Sequence, residues 1–396
     1  MAISFDLGRA KIHMSGFDDD LTTLQVALRS LEIRLDHTPI IESRTDSIHL
    51  PVVRAKDGWL FDGGLFLSDG TRDPAARLAR LGISLLTESR IDPSQDLKVI
   101  EAPVMYLGWY FNHFGHMLIE GMARSFATQN APKDTLWLIS TPDAWPPTLT
   151  QNMELLTLAG IDPAAVLDPG KAYRLKQLLV PHPAYLPQMS ATGAFLDPFH
   201  RIAENVMGQA DPPQIDSAPV FLSRSALATN AWHNEDEARL ESLLAEFGIH
   251  VVHPEATTLV EQIRLFNRHL TFVGLIGSAF HAKLFSMRPL TTFVMSADFP
   301  NLNYPLIDSI TGGVGNYGRM LTSDDRASLT AERRWRPQTW NEAMRLRWIE
   351  FAAWLHDLGL LTAAQANRLR VCATDSRTRR LWRGLTRSWS RCSPDV

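Results

Sequence analysis

Residues 269–295 read HLTFVGLIGSAFHAKLFSMRPLTTFVM, and this stretch decides the fold. HLTFVGLIG is an apolar run too short for a buried helix and closed by glycine, so it reads as a strand buried on both faces. SAFHAKLFS then carries helical spacing, and PLTTFVMSA is a second apolar strand. Working outward, VFLSRS (220–225) is a strand and NEDEARLESLLAEFG (234–248) a helix with Asn234 as N-cap and Gly248 at its end. IHVVHP is a strand and TTLVEQIRLFNR an amphipathic helix. Strand and helix alternating at this spacing predict parallel βαβ units with right-handed crossovers.

The first half reads more loosely. LPVVRAKDGWLFDGGLFLSDG, from Leu50, alternates apolar runs with turn formers and predicts an irregular β-rich entry. PVMYLGWYFNHFGHMLIEGMARSFA changes near Asn112 from strand to a helix carrying Phe114, Met117, Leu118 and Met122. DTLWLIS and YRLKQLLVPHP supply further strands, with QNMELLTLAGI a helix between them. The polar, proline-bearing stretch MGQADPPQIDSAP (207–219) reads as a linker. The expected division is therefore 1–210, an α/β unit with a β-rich entry; 219–325, a Rossmann-like unit; 330–372, a helical extension with a long helix from about 338 to 358; and 373–396, a basic flexible tail.

Of 396 residues, 45% are hydrophobic and 21% charged, close to the globular average, so a sizeable core is expected and a disordered or fibrous chain is not. A net charge of −4 supplies no global field for nucleic acid, which is not expected as a partner. The two cysteines, Cys372 and Cys392, lie close to the carboxyl end, which suits a reducing compartment and no disulfide framework. The start, MAISFDLGRAKIHMSGFDDD, lacks a secretory signal pattern, and no apolar run is long enough for a membrane span. A cytoplasmic protein is expected. Its tail, RTRRLWRGLTRSWSR (377–391), sets arginines beside Trp382 and Trp389, as either a peripheral contact with an anionic inner membrane face or a solvated tail.

Three clusters could carry chemistry. His116, Glu120 and Arg124 recur every four residues and would line one helix face, with His113 at the helix start, where a neutral imidazole suited to proton acceptance is favoured. The plain alternative is an exposed Glu120–Arg124 ion pair beside a structural histidine. Arg224, between Ser223 and Ser225, would emerge at the carboxyl edge of a parallel sheet, where ligands bind and a guanidinium can grip phosphate oxygens. Gly274 and Gly277 precede a helix start holding Ser278, His281 and Lys283, whose first amides can cradle an anion. No metal site is expected: a third ligand beside His116 and Glu120 is not identifiable, and no Asp-x-Asp motif occurs.

Taken together, these segments resemble glycosyltransferase family 61, including its bacterial branch. HFGHMLIEGMAR looks like the family's N-x-x-H-x-L-x-E-x-L-x-R pattern, with His116, Glu120 and Arg124 on its His, acidic and Arg positions. A strand ending in Ser-Arg (Phe221 to Arg224), Asn234-Glu235, a Glu255-to-Gln262 segment and Gly274 to Ala279 follow in the family's order. One departure is Ile276, where many members carry histidine; His281 lies four residues after Gly277. The resemblance implies a GT-B-like fold of two Rossmann-like domains facing a cleft. It implies inverting, metal-independent hexosyl or pentosyl transfer from a nucleotide-diphosphate sugar, with no other cofactor, to a glycan or lipid-linked acceptor. His116 would be the base and Glu120 would orient it. Arg224, Gly277, Ser278 and Lys283 would hold the diphosphate, with Glu255 or Gln262 near the nucleoside. GSAFHAKLFS also resembles polysaccharide pyruvyltransferases, and a carbohydrate-binding protein of the same fold without catalysis is the non-enzymatic alternative.

Overall fold

The computed structural model describes residues 2–17, 21–55, 60–80, 83–87, 89–208, 214–226, 235–296, 301–319 and 348–374. Asn234, part of the linker, the first half of the long carboxyl-terminal helix and the basic tail lie outside the described residues.

The chain opens with a hairpin, β1 (Ala2–Leu7) and β2 (Ala10–Ser15), and a short β3 (Glu32–Arg34). Then come β4 (Ile41–Arg44), β5 (Ser47–Arg54), β6 (Phe61–Phe66) and the small pair β7 (Ala79–Arg80) and β8 (Ile83–Ser84). The long β9 (Lys98–Trp109) leads through a helical turn to β10 (Leu136–Ser140) and β11 (Tyr173–Pro181). Short β12 (Tyr185–Leu186) and β13 (Ser190–Thr192) precede the legible region: β14 (Val220–Leu222), β15 (His250–Val252), β16 (Thr271–Leu275), β17 (Leu290–Ser296) and β18 (Gly313–Arg319).

Two large sheets form, so the protein is a mixed α/β molecule. The first runs β10-β9-β11-β5-β6, with β4 also on β11. Here β9, β10 and β11 are parallel, and β4 and β5 run against β11. The second runs β1-β2-β18-β17-β16-β14-β15, parallel from β2 to β15, as the alternating apolar runs predicted. The amino-terminal hairpin, grouped with residues 1–210 from sequence, pairs instead with β18: β2 lies parallel to it from Ala10↔Gly313 to Gly318↔Ser15. Gly8 makes this possible, with φ +58° and a position where a Cβ would stand 2.4 Å from the Ser309 carbonyl oxygen.

One continuous apolar cluster joins both sheets, from Met105, Met117 and Ile139 to Leu222, Phe272 and Phe285. Fully burying each such side chain contributes about 1.5–3 kcal/mol. Polar ties reinforce it. Glu154 accepts from the Leu259 amide at 2.7 Å, and Gln151 donates to the Thr257 carbonyl at 3.2 Å. The other face of the second sheet is covered by helices Trp348–Asp357 and Ala363–Thr374, through Phe351, Leu355 and Leu369 against Phe221, Val273 and Met295. The helical extension therefore completes the layering of that sheet.

Candidate active site

In the first sheet the chain order changes sides at β9, since β10 pairs on one edge and β11 on the other. In the second it changes sides at β14, with β15 on one edge and β16 on the other. Parallel sheets leave a crevice beyond the carboxyl ends of their strands at such reversals. His116 follows β9, Arg224 follows β14 and Gly277 follows β16, so the three predicted motifs converge on those crevices.

After β9 the loop is pinned by Asn112. Its amide donates to Asp143 at 2.8 Å, its side-chain nitrogen to Thr148 at 2.6 Å, and its side-chain oxygen accepts from the Leu149 amide at 3.1 Å. A single helical turn, Phe114–His116, then widens over Met117–Gly121, where the Met122 amide reaches back five residues to the Met117 carbonyl at 3.1 Å. His116 Nδ1 and Glu120 Oε2 lie 2.5 Å apart, with Glu120 buried and the histidine side chain one third exposed. Nδ1–H donating to a buried carboxylate selects the tautomer whose Nε2 accepts a proton. The rings of His113 and Phe111 flank His116 at centroid distances of 5.0 and 5.6 Å.

Arg124 does not join this stripe, which corrects the four-residue spacing reading. The widened turn rotates the following residues away, and Arg124 is buried with Nε donating to the Pro181 carbonyl at 2.9 Å and Nη2 to that of Ala75 at 2.8 Å. Its guanidinium also lies over Tyr106 at 5.2 Å and beside Gly108, where a Cβ would stand 2.6 Å from Nη1. It is a clamp on neighbouring loops.

Opposite His116, the segment Ser278–Phe285 is a 3-10 helix that packs on Gly115. A Cβ on Gly115 would lie 2.8 Å from the Ser278 Cβ and 3.1 Å from His281 Nδ1. His281 is buried between the halves of the site, against Gly115 and near His116, His113 and Glu120, and burial depresses its pKa to about 4. Among the described residues, neither of its ring nitrogens finds a hydrogen-bond partner of good geometry. At neutral pH it is an uncharged imidazole.

Arg224 lies beside Gly277, with a Cβ there at 3.6 Å from its Cδ. Its Nη1 donates to the Ile276 carbonyl at 3.1 Å, its own amide donates to Glu237 at 2.9 Å, and Nε stands 4.0 Å from Glu237 Oε2. The side chain is only 12% exposed, yet Nε and Nη2 have no hydrogen-bond partner among the described residues. Burial lowers its pKa, opposed by Glu237, Tyr304 and Glu255. Two unsatisfied guanidinium nitrogens in low dielectric are the kind of donor an oxyanion accepts from. The first amides of the Ser278 helix, which have no intrahelical acceptor, lie at the same edge.

Lys283 does not serve that edge, which corrects its sequence assignment. It is buried and ion-paired with Asp308, whose other oxygen accepts from the Tyr317 hydroxyl at 2.5 Å. At three residues per turn, Lys283 falls on the same inward face as Phe280. Gln262 is also buried; its Nε2 donates to the Pro254 carbonyl at 2.9 Å and so fixes the turn carrying Glu255, one of the acids facing Arg224.

Several residues escaped the sequence reading. Glu237 occupies the apolar stripe of its helix with Leu240 and Leu244, and an acid on that stripe was the available signal. Glu241 Oε1 gathers Ser223 at 2.6 Å, Ser225, and His253 Nε2 at 3.1 Å beyond β14 and β15. Tyr304 lies against Gly277 and His281, in a segment without a legible motif. Among the described residues, no group of three or more His, Cys, Asp or Glu side chains is arranged to hold a metal ion.

A comparison with curated proteins finds no match. Among solved structures, the bacterial iron-containing dodecameric glycosyltransferase TibC from enterotoxigenic E. coli H10407 is similar at 11% identity. The alignment covers 87% of this chain and 100% of that one, and its TM-score of 0.29 is too low to bear on the fold. The model of the family described as Glycosyltransferase 61 matches residues 114–294, from the helical turn carrying His116 through Arg224 and Gly277 to β17. The stretch from Phe114 to Val294 is therefore similar to glycosyltransferase family 61.

Proposed function

We propose that the protein transfers a hexosyl or pentosyl group from a nucleotide-diphosphate sugar to a hydroxyl of a glycan or lipid-linked acceptor, with inversion and without a metal, in a GT-B-type arrangement. The observation that carries this reading is the meeting of two unlike half-sites across Gly115: a carboxylate-oriented imidazole on one side and a partly unpaired guanidinium at a sheet switch point on the other.

In this reading the acceptor hydroxyl gives its proton to His116 Nε2 while its oxygen attacks the anomeric carbon. The bond from that carbon to the diphosphate oxygen breaks, and the charge left on the diphosphate is met by Arg224 and the Ser278 amide. Glu120 holds the imidazole and stabilises its charged form. Glu255, held by the Gln262-braced turn, lies on the nucleoside side. The compartment is the cytoplasm, with the basic tail at the inner membrane face; no described helix is long and apolar enough to cross a membrane.

The test is His116→Ala, assayed in single turnover after a panel of nucleotide sugars has identified the donor by thermal shift. Turnover should fall by roughly a hundredfold to ten-thousandfold, with donor affinity and melting temperature near wild type. A variant that melts early but turns over normally per folded molecule removes His116 from the chemistry. Slow donor hydrolysis by the wild-type chain separates an enzyme from a binding protein.

A further inference from the structure

A cavity of about 560 Å³ lies away from the His116 and Arg224 half-sites, behind the Arg124 clamp. It is built where β3 and β13, paired from Ser190↔Glu32 to Thr192↔Arg34, face the turn Pro74–Ala76 and the loop at His182. Its volume lies in the range of pockets that enclose a small organic ligand, about 300–1,000 Å³.

The lining is charged, and its acids are already engaged. Glu42 pairs with Arg44 and with His182 Nε2 at 2.8 Å, and Glu32 with Arg34 at 3.1 Å. Asp73, buried behind the wall, caps the Pro74–Ala76 turn and pairs with Arg44 at 3.3 Å. Not every cation is used up. Arg77 is exposed and has no acid partner among the described residues, and the buried Arg124 guanidinium sits directly behind the Ala75 wall. Thr192 adds an independent sign, since its hydroxyl is buried in this wall without a hydrogen-bond partner among the described residues. Positive charge in a low-dielectric concavity concentrates anions.

We propose that this groove binds an oxyanion-bearing saccharide, with Arg77 gripping the carboxylate or phosphate and Thr192 meeting a sugar hydroxyl. The inference deepens the proposed function, on which it rests for the role of this ligand as part of an acidic acceptor. Arg124 would then be a positioning residue, holding the Ala75 and Pro181 carbonyls that shape the wall.

The experiment is calorimetric titration of the full chain with trigalacturonate, glucose 6-phosphate and uncharged maltotriose. One or both acidic probes should bind at least tenfold tighter than maltotriose, and which of them does so identifies carboxylate or phosphate as the source. Arg77→Gln should weaken that binding by about ten- to hundredfold, the effect of one charged hydrogen bond. Glu42→Gln, which removes one of the groove's own anions, should tighten it, a gain that misfolding does not produce. Equal affinity for charged and uncharged probes, or an unchanged affinity in Arg77→Gln, overturns the proposal. His116→Ala is titrated in parallel. It should keep the wild-type affinity for the acidic probe; acidic-probe binding by a wild-type chain that shows no transferase activity upholds the groove and sinks the transfer reading, whereas transfer to neutral acceptors alone does the reverse.

Discussion

Lys283→Met separates a buried structural cation from a diphosphate ligand, because the two roles give opposite results. Lys283 and Asp308 are both almost fully buried, and Tyr317 fills the remaining coordination of the carboxylate. Removing the lysine leaves Asp308 as an uncompensated anion in the core, a change that costs about 3–5 kcal/mol. Relief by relaxation is limited. A Cβ at Gly315 would already lie 2.0 Å from Asp308 Oδ2, so the carboxylate is enclosed by backbone. For a chain of 396 residues this loss amounts to a fall in melting temperature of roughly 4–6 °C. Lys283→Met with Asp308→Asn should recover at least half of it, since the double variant leaves no isolated charge. Both are measured by thermal and urea unfolding, alongside nucleotide-diphosphate affinity corrected for the folded fraction. That affinity should stay at the wild-type value. A variant that melts like wild type but binds the diphosphate tenfold more weakly refutes the burial argument and returns Lys283 to the donor site.

The same residue shows where sequence reading stops. The parallel core of the second sheet was legible because its central strands, buried on both faces, are short apolar runs bounded by glycine, as at Gly277, or by a charged helix start. His116 and Glu120 were legible because about one helical turn separates them, and their side chains meet although that turn is widened. Both misplacements have the same physical origin, a helix that departs from 3.6 residues per turn. The widened turn at Met117–Gly121 carries Arg124 off the stripe, and the 3-10 pitch after Gly277 turns Lys283 inward. Neither departure has a sequence signature as strong as the helical period itself. The hairpin at the amino terminus was unreadable for another reason, since its partner β18 lies about three hundred residues away and nothing local encodes such a pairing. β18 and Tyr304 belong to a segment whose glycines, Gly312, Gly313, Gly315 and Gly318, break the apolar pattern that marks a buried strand.

Arg224→Ala should weaken nucleotide-diphosphate binding by at least about tenfold, and should also leave Glu237 buried without its cation. Burial already raises the Glu237 pKa above its ordinary 4.5, and Arg224 opposes that rise; a raised carboxyl favours the fold at low pH and loses that contribution as pH climbs through the folded value. The variant's stability deficit should therefore grow from pH 4.5 to pH 7.5 in urea unfolding, and a constant deficit contradicts the pairing. His49 and His281, both held near pKa 4 by burial, favour the fold above pH 6.5 and progressively less as pH falls towards 4, by up to about 3 kcal/mol each. Unfolding across that window should take up about two protons from these groups, one fewer in His49→Gln; an unchanged pH slope in that variant rejects the assignment. The last prediction concerns Gly115→Ala, which tests whether the half-sites act as one. The new methyl group would meet Ser278 Cβ at 2.8 Å and His281 Nδ1 at 3.1 Å, so the helical turn carrying His116 has to back away from the Gly277 edge by a few tenths of an ångström or more. Displacements approaching an ångström cost about a hundredfold in rate when reacting groups must stay aligned. Single-turnover rate should thus fall by about ten- to a hundredfold while donor affinity, which depends on the far side of the contact, changes little. Gly115→Ala with Ser278→Gly removes the opposing Cβ and should restore most of the lost rate without returning the original glycine. If Gly115→Ala alone turns over normally, the contact does not set the distance between base and donor, and the two halves are aligned by the shared core instead.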